Sequence, residues 1–368
     1  MGLSKPEIVM SKWEWKEFED CIEHVKYTTK IPNKDYLQEG EFPIVSQEDC
    51  LISGYWNDRR DLFKVTKPIV IFGDHTKVLK YIDFDFVLGA DGVKILCPKD
   101  FLDAHFFFYF LKSVNFDNLG YARHYRLLKE LSVPVPPLSK QKHIVKFLDK
   151  EFSKIGTIKE NAENNQKKSK ELISFETKSI ICATQGNFLP CGWVQKQISD
   201  VCDIICGSNQ KEVECKNGGY PIYGSGGEIG RSREYKCPAG CTIIGRKGSI
   251  NNPIFVNEPF WNIDTAFGLS PKENIDARYL FYFCKNFDFT SLDKGSGRPS
   301  LKRTDLLQVD IPLPPLSVQK EIVARLDKLS ENVKRLEANY KQIIANCDEL
   351  KKSILKKTFE GDSRSSRE

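Results

Sequence analysis

The sequence predicts an α+β protein of two globular domains in tandem duplication, joined by two long helices that form an antiparallel coiled coil. Three observations predict it: a near-verbatim internal repeat, a heptad seam near the C-terminus, and a mixed segment rich in Gly, aromatic and β-branched residues ahead of each repeat. The chain has 368 residues and 40% hydrophobic composition, which is room for two cores.

The repeat comes first. Val-Pro-Val-Pro-Pro-Leu-Ser at 133–139 returns as Ile-Pro-Leu-Pro-Pro-Leu-Ser at 311–317. Beyond it, Gln141, Lys142, Ile144, Val145, Leu148, Asp149 and Lys150 reappear as Gln319, Lys320, Ile322, Val323, Leu326, Asp327 and Lys328, at a constant offset of 178. Weaker echoes run in the same order. Trp13, Lys16 and Asp20 pair with Trp193, Lys196 and Asp200, and Asp103-Ala104 with Asp276-Ala277, each followed by an aromatic run that reads as a core helix. The chain divides into a first head (1–137), a central helix (138–185), a second head (186–314), a C-terminal helix (315–360) and a tail (361–368) expected to be disordered.

The helices follow from spacing. Ile322, Leu326, Leu329, Val333, Leu336, Tyr340, Ile343, Cys347, Leu350 and Ile354 alternate intervals of four and three, a coiled-coil seam about 48 Å long at 1.5 Å per residue. In the first copy Ile144, Leu148, Ile155, Ile158, Ala162 and Leu172 keep the phase, while Glu151, Asn165, Ser169 and Glu176 fill the other seam positions. The diprolines Pro136-Pro137 and Pro314-Pro315 mark the helix starts, with Ser139 and Ser317 as expected N-caps. Two such helices satisfy each other by antiparallel pairing.

Composition excludes several classes. No apolar run approaches the length of a membrane span, and residues 1–20 lack the apolar core of a signal peptide, so the chain reads as a cytoplasmic protein with its twelve cysteines as thiols. Cys202, Cys206, Cys215, Cys237 and Cys241 cluster in sequence, yet their spacing is not that of a zinc ribbon and every histidine lies in the first half. Gly224-Ser225-Gly226-Gly227-Glu228-Ile229-Gly230 is not followed by an amphipathic helix and reads as a flexible loop or a hairpin turn. No nucleotide, metalloprotease or amino-methyltransferase motif is present. The net charge of +5 is mild: the first head is about three units negative, the second about one positive, and the helices hold the excess.

The twice-occurring Pro-x-Pro-Pro-Leu-Ser-x-Gln-Lys-x-Ile-Val-x-x-Leu-Asp-Lys element, with Gly73-Asp74-His75-Thr76, Tyr121-Ala122-Arg123-His124 and Gly295-Ser296-Gly297-Arg298, resembles the specificity (S) subunit of type I restriction-modification systems. The resemblance implies that the heads are target-recognition domains, each reading one part of a bipartite, asymmetric duplex DNA target, with the helices as ruler. It implies a non-catalytic subunit that docks two methyltransferase (M) subunits and, indirectly, a restriction (R) subunit. S-adenosylmethionine, ATP and Mg then belong to those partners, with no cofactor or metal in this chain. A coiled-coil scaffold or adaptor that binds proteins is the alternative.

Basic and polar residues on Gly-containing loops are the candidate DNA contacts, because backbone there approaches phosphate and Arg presents its fork to guanine. They are Asp74, His75, Thr76, Arg123, His124 and Arg126 in the first head, and Arg246, Lys247, Ser249, Lys294, Ser296, Arg298, Lys302 and Arg303 in the second. Asp74 suits either a cytosine amino group or a turn cap, and His124 either a contact or a structural hydrogen bond. The recurring helix starts, Pro136, Leu138, Gln141 and Ile144 with Pro314, Leu316, Gln319 and Ile322, are the candidate partner surface, or else serve hinge and coil packing.

Overall fold

A computed structural model describes residues 13–90, 92–116, 123–181, 189–293 and 297–360. The expected tail at 361–368 lies outside them. Two compact units emerge: residues 1–161 with 343–368, and residues 162–342. Each holds one head and parts of both long helices.

In the first unit, strand Glu14–Glu17 pairs antiparallel with Ser132–Val135, placing Pro134 in a two-stranded ribbon with no central strand to disrupt. The same ribbon recurs in the second unit as Val194–Gln197 against Asp310–Leu313. The first head then forms a four-stranded sheet ordered Ile22–Glu23, Val93–Pro98, Ile69–Gly73, Leu79–Ile82, and a second sheet around Phe86–Gly89 and Phe42–Val45. The second head repeats the plan with Cys202–Cys206, Ala266–Pro271, Cys241–Gly245 and Ile254–Val256, beside a sheet built on Tyr220–Gly224 and Gly227–Ser232. The glycine-rich segment expected as a loop or turn is the hairpin between those last two strands, with Gly224 opposite Gly227.

The aromatic runs are core helices, Ala104–Ser113 and Ala277–Asn286. Asp103 and Asp276 start them by accepting two backbone amides each. Phe106 and Phe107, and Tyr279 and Tyr282, are buried in the respective cores.

The long helices are Leu138–Ile181 and Leu316–Glu360. Each begins one residue ahead of its serine, so Ser139 and Ser317 lie in the first turn and are not the caps expected. The diproline carbonyls open the ladder instead: Gln141 N donates to Pro137 O and Gln319 N to Pro315 O. In the first unit Ile144 and Leu148 share a core with Leu355 and Phe359, and Lys159 pairs with Asp348 at 2.7 Å, so the helices run antiparallel. In the second unit Glu176 pairs with Arg325, and Ile180 packs on the core that contains Ile322 and Leu326, again antiparallel.

The seam is half covered. Leu326, Val333 and Cys347 are buried, whereas Leu336, Ile343 and Leu350 are exposed. On the central helix Leu148, Ile155 and Ala162 are buried and Ile158 and Leu172 exposed. One flank closes within each unit and the other faces solvent. Among the described residues no helix is long and apolar enough to cross a membrane, and no three His, Cys, Asp or Glu side chains converge as a metal cage.

Candidate nucleic-acid interface

Both heads build the candidate site on the same backbone frame. A fully buried strand, Ile69–Gly73 or Cys241–Gly245, ends at a glycine where the chain turns sharply. A Cβ on Gly73 would lie 2.2 Å from Thr76 Oγ1 and one on Gly245 2.2 Å from the backbone Ser249 O, so a side chain at either place would force its neighbours to shift. The next residue accepts a long-range amide: His124 N donates to Asp74 O (2.7 Å) and Leu301 N to Arg246 O (2.8 Å). These bonds join the glycine turn to the segment that opens a short helix, Tyr125–Lys129 or Arg303–Leu307. Candidates some fifty residues apart in sequence thus become neighbours in each head.

In the second head, loops 245–249 and 298–303 zip together. Lys247 bridges Ser300, and Gly248 N donates to Pro299 O at 2.9 Å. Gly248 has φ +85°, and a Cβ there would sit 2.9 Å from Arg298 Nη2, so the guanidinium rests on the glycine. Arg246 is half-buried over the Phe267 ring, with Nη1 3.4 Å from Asp264 O. Lys247, Ser249, Arg298, Lys302 and Arg303 are exposed. Lys294 and Ser296 lie outside the described residues.

The first head uses the frame differently. Asp74 is only 2% exposed: its carboxylate accepts from Tyr125 N at 2.8 Å and lies 3.8 Å from Lys94 Nζ. His124 is 1% exposed, with ring Nδ1 3.0 Å from Asp74 O. The turn-cap and structural readings are the ones realised, which corrects their place among base contacts: a carboxylate and an imidazole this enclosed hold the loop and do not present themselves. His75 is half-buried, and Thr76, Arg123 and Arg126 are exposed.

Sequence reasoning missed Gln47, whose Oε1 accepts from His75 N (3.2 Å) and whose carbonyl accepts from Thr76 Oγ1 (2.6 Å). It also missed Lys80, buried beneath the same loop with Nζ 2.9 Å from Ser46 O and 2.5 Å from Cys50 O. Desolvation lowers the Lys80 pKa. A lysine in an alternating strand carries no local signal that it is turned inward.

The expected partner surface needs a larger correction. Pro136, Gln141, Ile144, Pro314, Gln319 and Ile322 are buried inside the chain, and only Leu138 and Leu316 are exposed. Gln141 Oε1 accepts from Asp103 N (2.7 Å) while its amide donates to Pro136 O (2.7 Å) and Phe101 O (2.9 Å). Gln319 repeats this with Asp276 N (2.7 Å), Pro314 O (2.8 Å) and Asn274 O (3.2 Å). These residues recur because each holds its head to its helix.

The sequence profile of the type I restriction modification DNA specificity domain matches residues 10–184 and again 190–345. The specificity subunit of the type I restriction enzyme MjaVIII from Methanocaldococcus jannaschii is 25% identical, over 99% of this chain and 95% of its own length. That of EcoR124I/EcoR124II from Escherichia coli is 24% identical over 82% of both. Among solved structures, a chain from work on complex assembly and conformational transition of the type I R-M system aligns with TM-score 0.76 at 20% identity, covering 95% of this chain and 98% of that one. The HsdS subunit from Thermoanaerobacter tengcongensis aligns with TM-score 0.60 at 20% identity, covering 95% and 97%. With the family profile matched twice, in register with the two heads and the helices that follow them, the chain belongs to the type I restriction-modification DNA specificity family.

Proposed function

We propose that this chain is the non-catalytic recognition subunit of a type I restriction-modification complex, its two heads reading separate parts of one asymmetric duplex target. The observation that carries the reading is the shared glycine-turn frame with different side chains on it. The second head offers Lys247, Arg298, Lys302 and Arg303, suited to guanine edges and phosphates, whereas the first offers His75, Thr76, Arg123 and Arg126. Equal frames with unequal side chains suit a target whose halves differ.

Two methyltransferase subunits dock on the long helices, and the restriction subunit joins through them. Support comes from the uncovered flank: Ile158, Ile343 and Leu350 in one unit, and Leu172, Phe175 and Leu336 in the other, are apolar and exposed. S-adenosylmethionine, ATP and Mg act on those partners, and the complex works in the cytoplasm.

Methylation mapping of the assembled complex tests the reading. Exchanging residues 186–310 for another head should change one half of the target only. Inserting four residues near Ala162 should lengthen the unread spacer and leave the bases unchanged. Both halves altered by the exchange, or neither, defeats the modular assignment. A DNA affinity that ignores salt favours a protein-binding scaffold, which has no counterions to release.

A further inference from the structure

Each head is tied to its own long helix at two points, by bonds that neither base reading nor partner docking uses. The first tie is the buried glutamine, Gln141 or Gln319, which reaches the start of the aromatic helix at Asp103 N or Asp276 N. The second is a tyrosine on that helix: Tyr109 Oη donates to Asp149 Oδ1 at 2.5 Å, and Tyr282 Oη to Asp327 Oδ1 at 2.6 Å. A third group joins each aspartate. His105 Nε2 lies 3.4 Å from Asp149, its ring stacked between Tyr81 and Tyr109 at 4.7 Å from each. Its counterpart Arg278 donates from Nε to Asp327 at 3.0 Å beneath the Phe255 and Tyr282 rings. The heads have diverged almost everywhere else, and insertions have moved their offset, yet both ties recur.

Glutamine and aspartate stand eight residues apart on each long helix, about 12 Å at 1.5 Å per residue. One tie is a pivot; two ties make a bracket. We propose that these brackets fix the angle of each reading face on its helix and so set the length of the unread spacer, with Tyr109, Asp149, Tyr282 and Asp327 as positioning residues. This rests on the heads being base readers, as argued above.

The dimensions suit the role. A head of about 130 residues has a radius of gyration of about 14 Å, which puts its reading face about 20 Å from the bracket. At that lever one base-pair step of about 3.4 Å subtends about 10°. Removing the hydroxyl lets water solvate the aspartate in its place, and a gap of about 2 Å over the 12 Å between ties is again about 10°. Loss of one bond is therefore sized to blur the spacer by about one base pair.

The test uses full-length chain assembled with its methyltransferase subunits. The wild-type target is mapped first, and methylation is then measured on DNA whose spacer is native or one base pair shorter or longer. Because Arg278 also holds Asp327 from the same helix, Tyr109→Phe, and Tyr282→Phe combined with Arg278→Ala, should read the same bases while discrimination against the altered spacers falls about tenfold, the weight of one hydrogen bond to a charged group. Asp149→Asn and Asp327→Asn keep the Oδ1 acceptor and should keep most of that discrimination. Undiminished discrimination when Tyr109→Phe, Tyr282→Phe and Arg278→Ala are combined overturns the proposal, as does relaxation in the Asp→Asn pair alone. A wild-type complex with no bipartite target defeats the reading of the heads and the bracket with it; a strict spacer indifferent to the combined variant defeats the bracket alone.

Discussion

Replacing Gln319 by leucine separates a residue that holds the head from one that greets a partner. Gln319 is 0% exposed and its amide makes three bonds, to Asp276 N, Pro314 O and Asn274 O. Leucine fills nearly the same volume but leaves one buried donor and at least one buried acceptor without partners, at about 1–3 kcal/mol each. Allowing for the apolar surface that leucine adds, the second unit should lose about 3 kcal/mol. For a unit of this size that lowers Tm by about 6–12 °C. The assay is calorimetry of the purified chain without partner or DNA, with Leu316→Ala, exposed one turn away, as a control expected to stay within about 0.5 kcal/mol. A Gln319→Leu chain melting within about 2 °C of wild type, yet failing to bind methyltransferase, would return this residue to the partner surface and refute the clamp.

Gly248→Ala should displace Arg298, because the new methyl lies 2.9 Å from Nη2 on backbone at φ +85°. Specific DNA affinity should fall about tenfold with the salt slope unchanged, whereas Lys302→Ala with Arg303→Ala should reduce that slope by about two; equal slopes in both variants would remove the phosphate role. Burial and the Asp327 carboxylate push the Tyr282 phenol up to about 12. A raised pKa means that the protonated form is the one stabilised, so this contribution is complete below about pH 10 and vanishes as pH climbs through about 12; Tyr282→Phe should flatten the alkaline limb of the stability curve. Cys50, Cys191 and Cys206 are exposed and should react with a thiol reagent in the native state, whereas Cys284, and Cys202 whose thiol burial pushes up to about 12, should stay silent until unfolding. Early labelling of Cys202 would contradict the packing of the second head.

Much of the architecture was legible because it is written in local patterns. The duplicated proline element, the four-three seam and the Asp-led aromatic runs each signal through residues a few positions apart, and they became the expected helix starts, long helices and core helices, while the ribbon that holds Pro134 and Pro312 was not foreseen. The clamp was not legible, because Gln141 and its partner Asp103 are 38 residues apart and Gln319 and Asp276 are 43. Recurrence showed that these glutamines mattered without showing which way they point. The enclosure of Asp74 and His124 was hidden for the same reason: their bond spans 50 residues. Periodicity also identified the seam without telling whether its second flank is covered by this chain, since Ile343 and Cys347 look equally apolar and only one is buried.

The two kinds of bond in each head explain why one part of the module diverged and the other did not. The reading loops hang from backbone-to-backbone bonds, His124 N to Asp74 O and Leu301 N to Arg246 O, which almost any side chain can accompany. Asp74 can become Arg246, and a buried cap can become a half-exposed cation, while the frame persists. The head-to-helix ties are side-chain bonds, made by a glutamine amide and a tyrosine–aspartate pair, and losing the glutamine or the aspartate leaves a buried amide or tyrosine hydroxyl without its bond. Substitution is therefore cheap on the glycine turns and costly where the head is held. The glycine turns can therefore exchange side chains between the copies without loss of the backbone frame, whereas the glutamine and the tyrosine–aspartate pair recur in both.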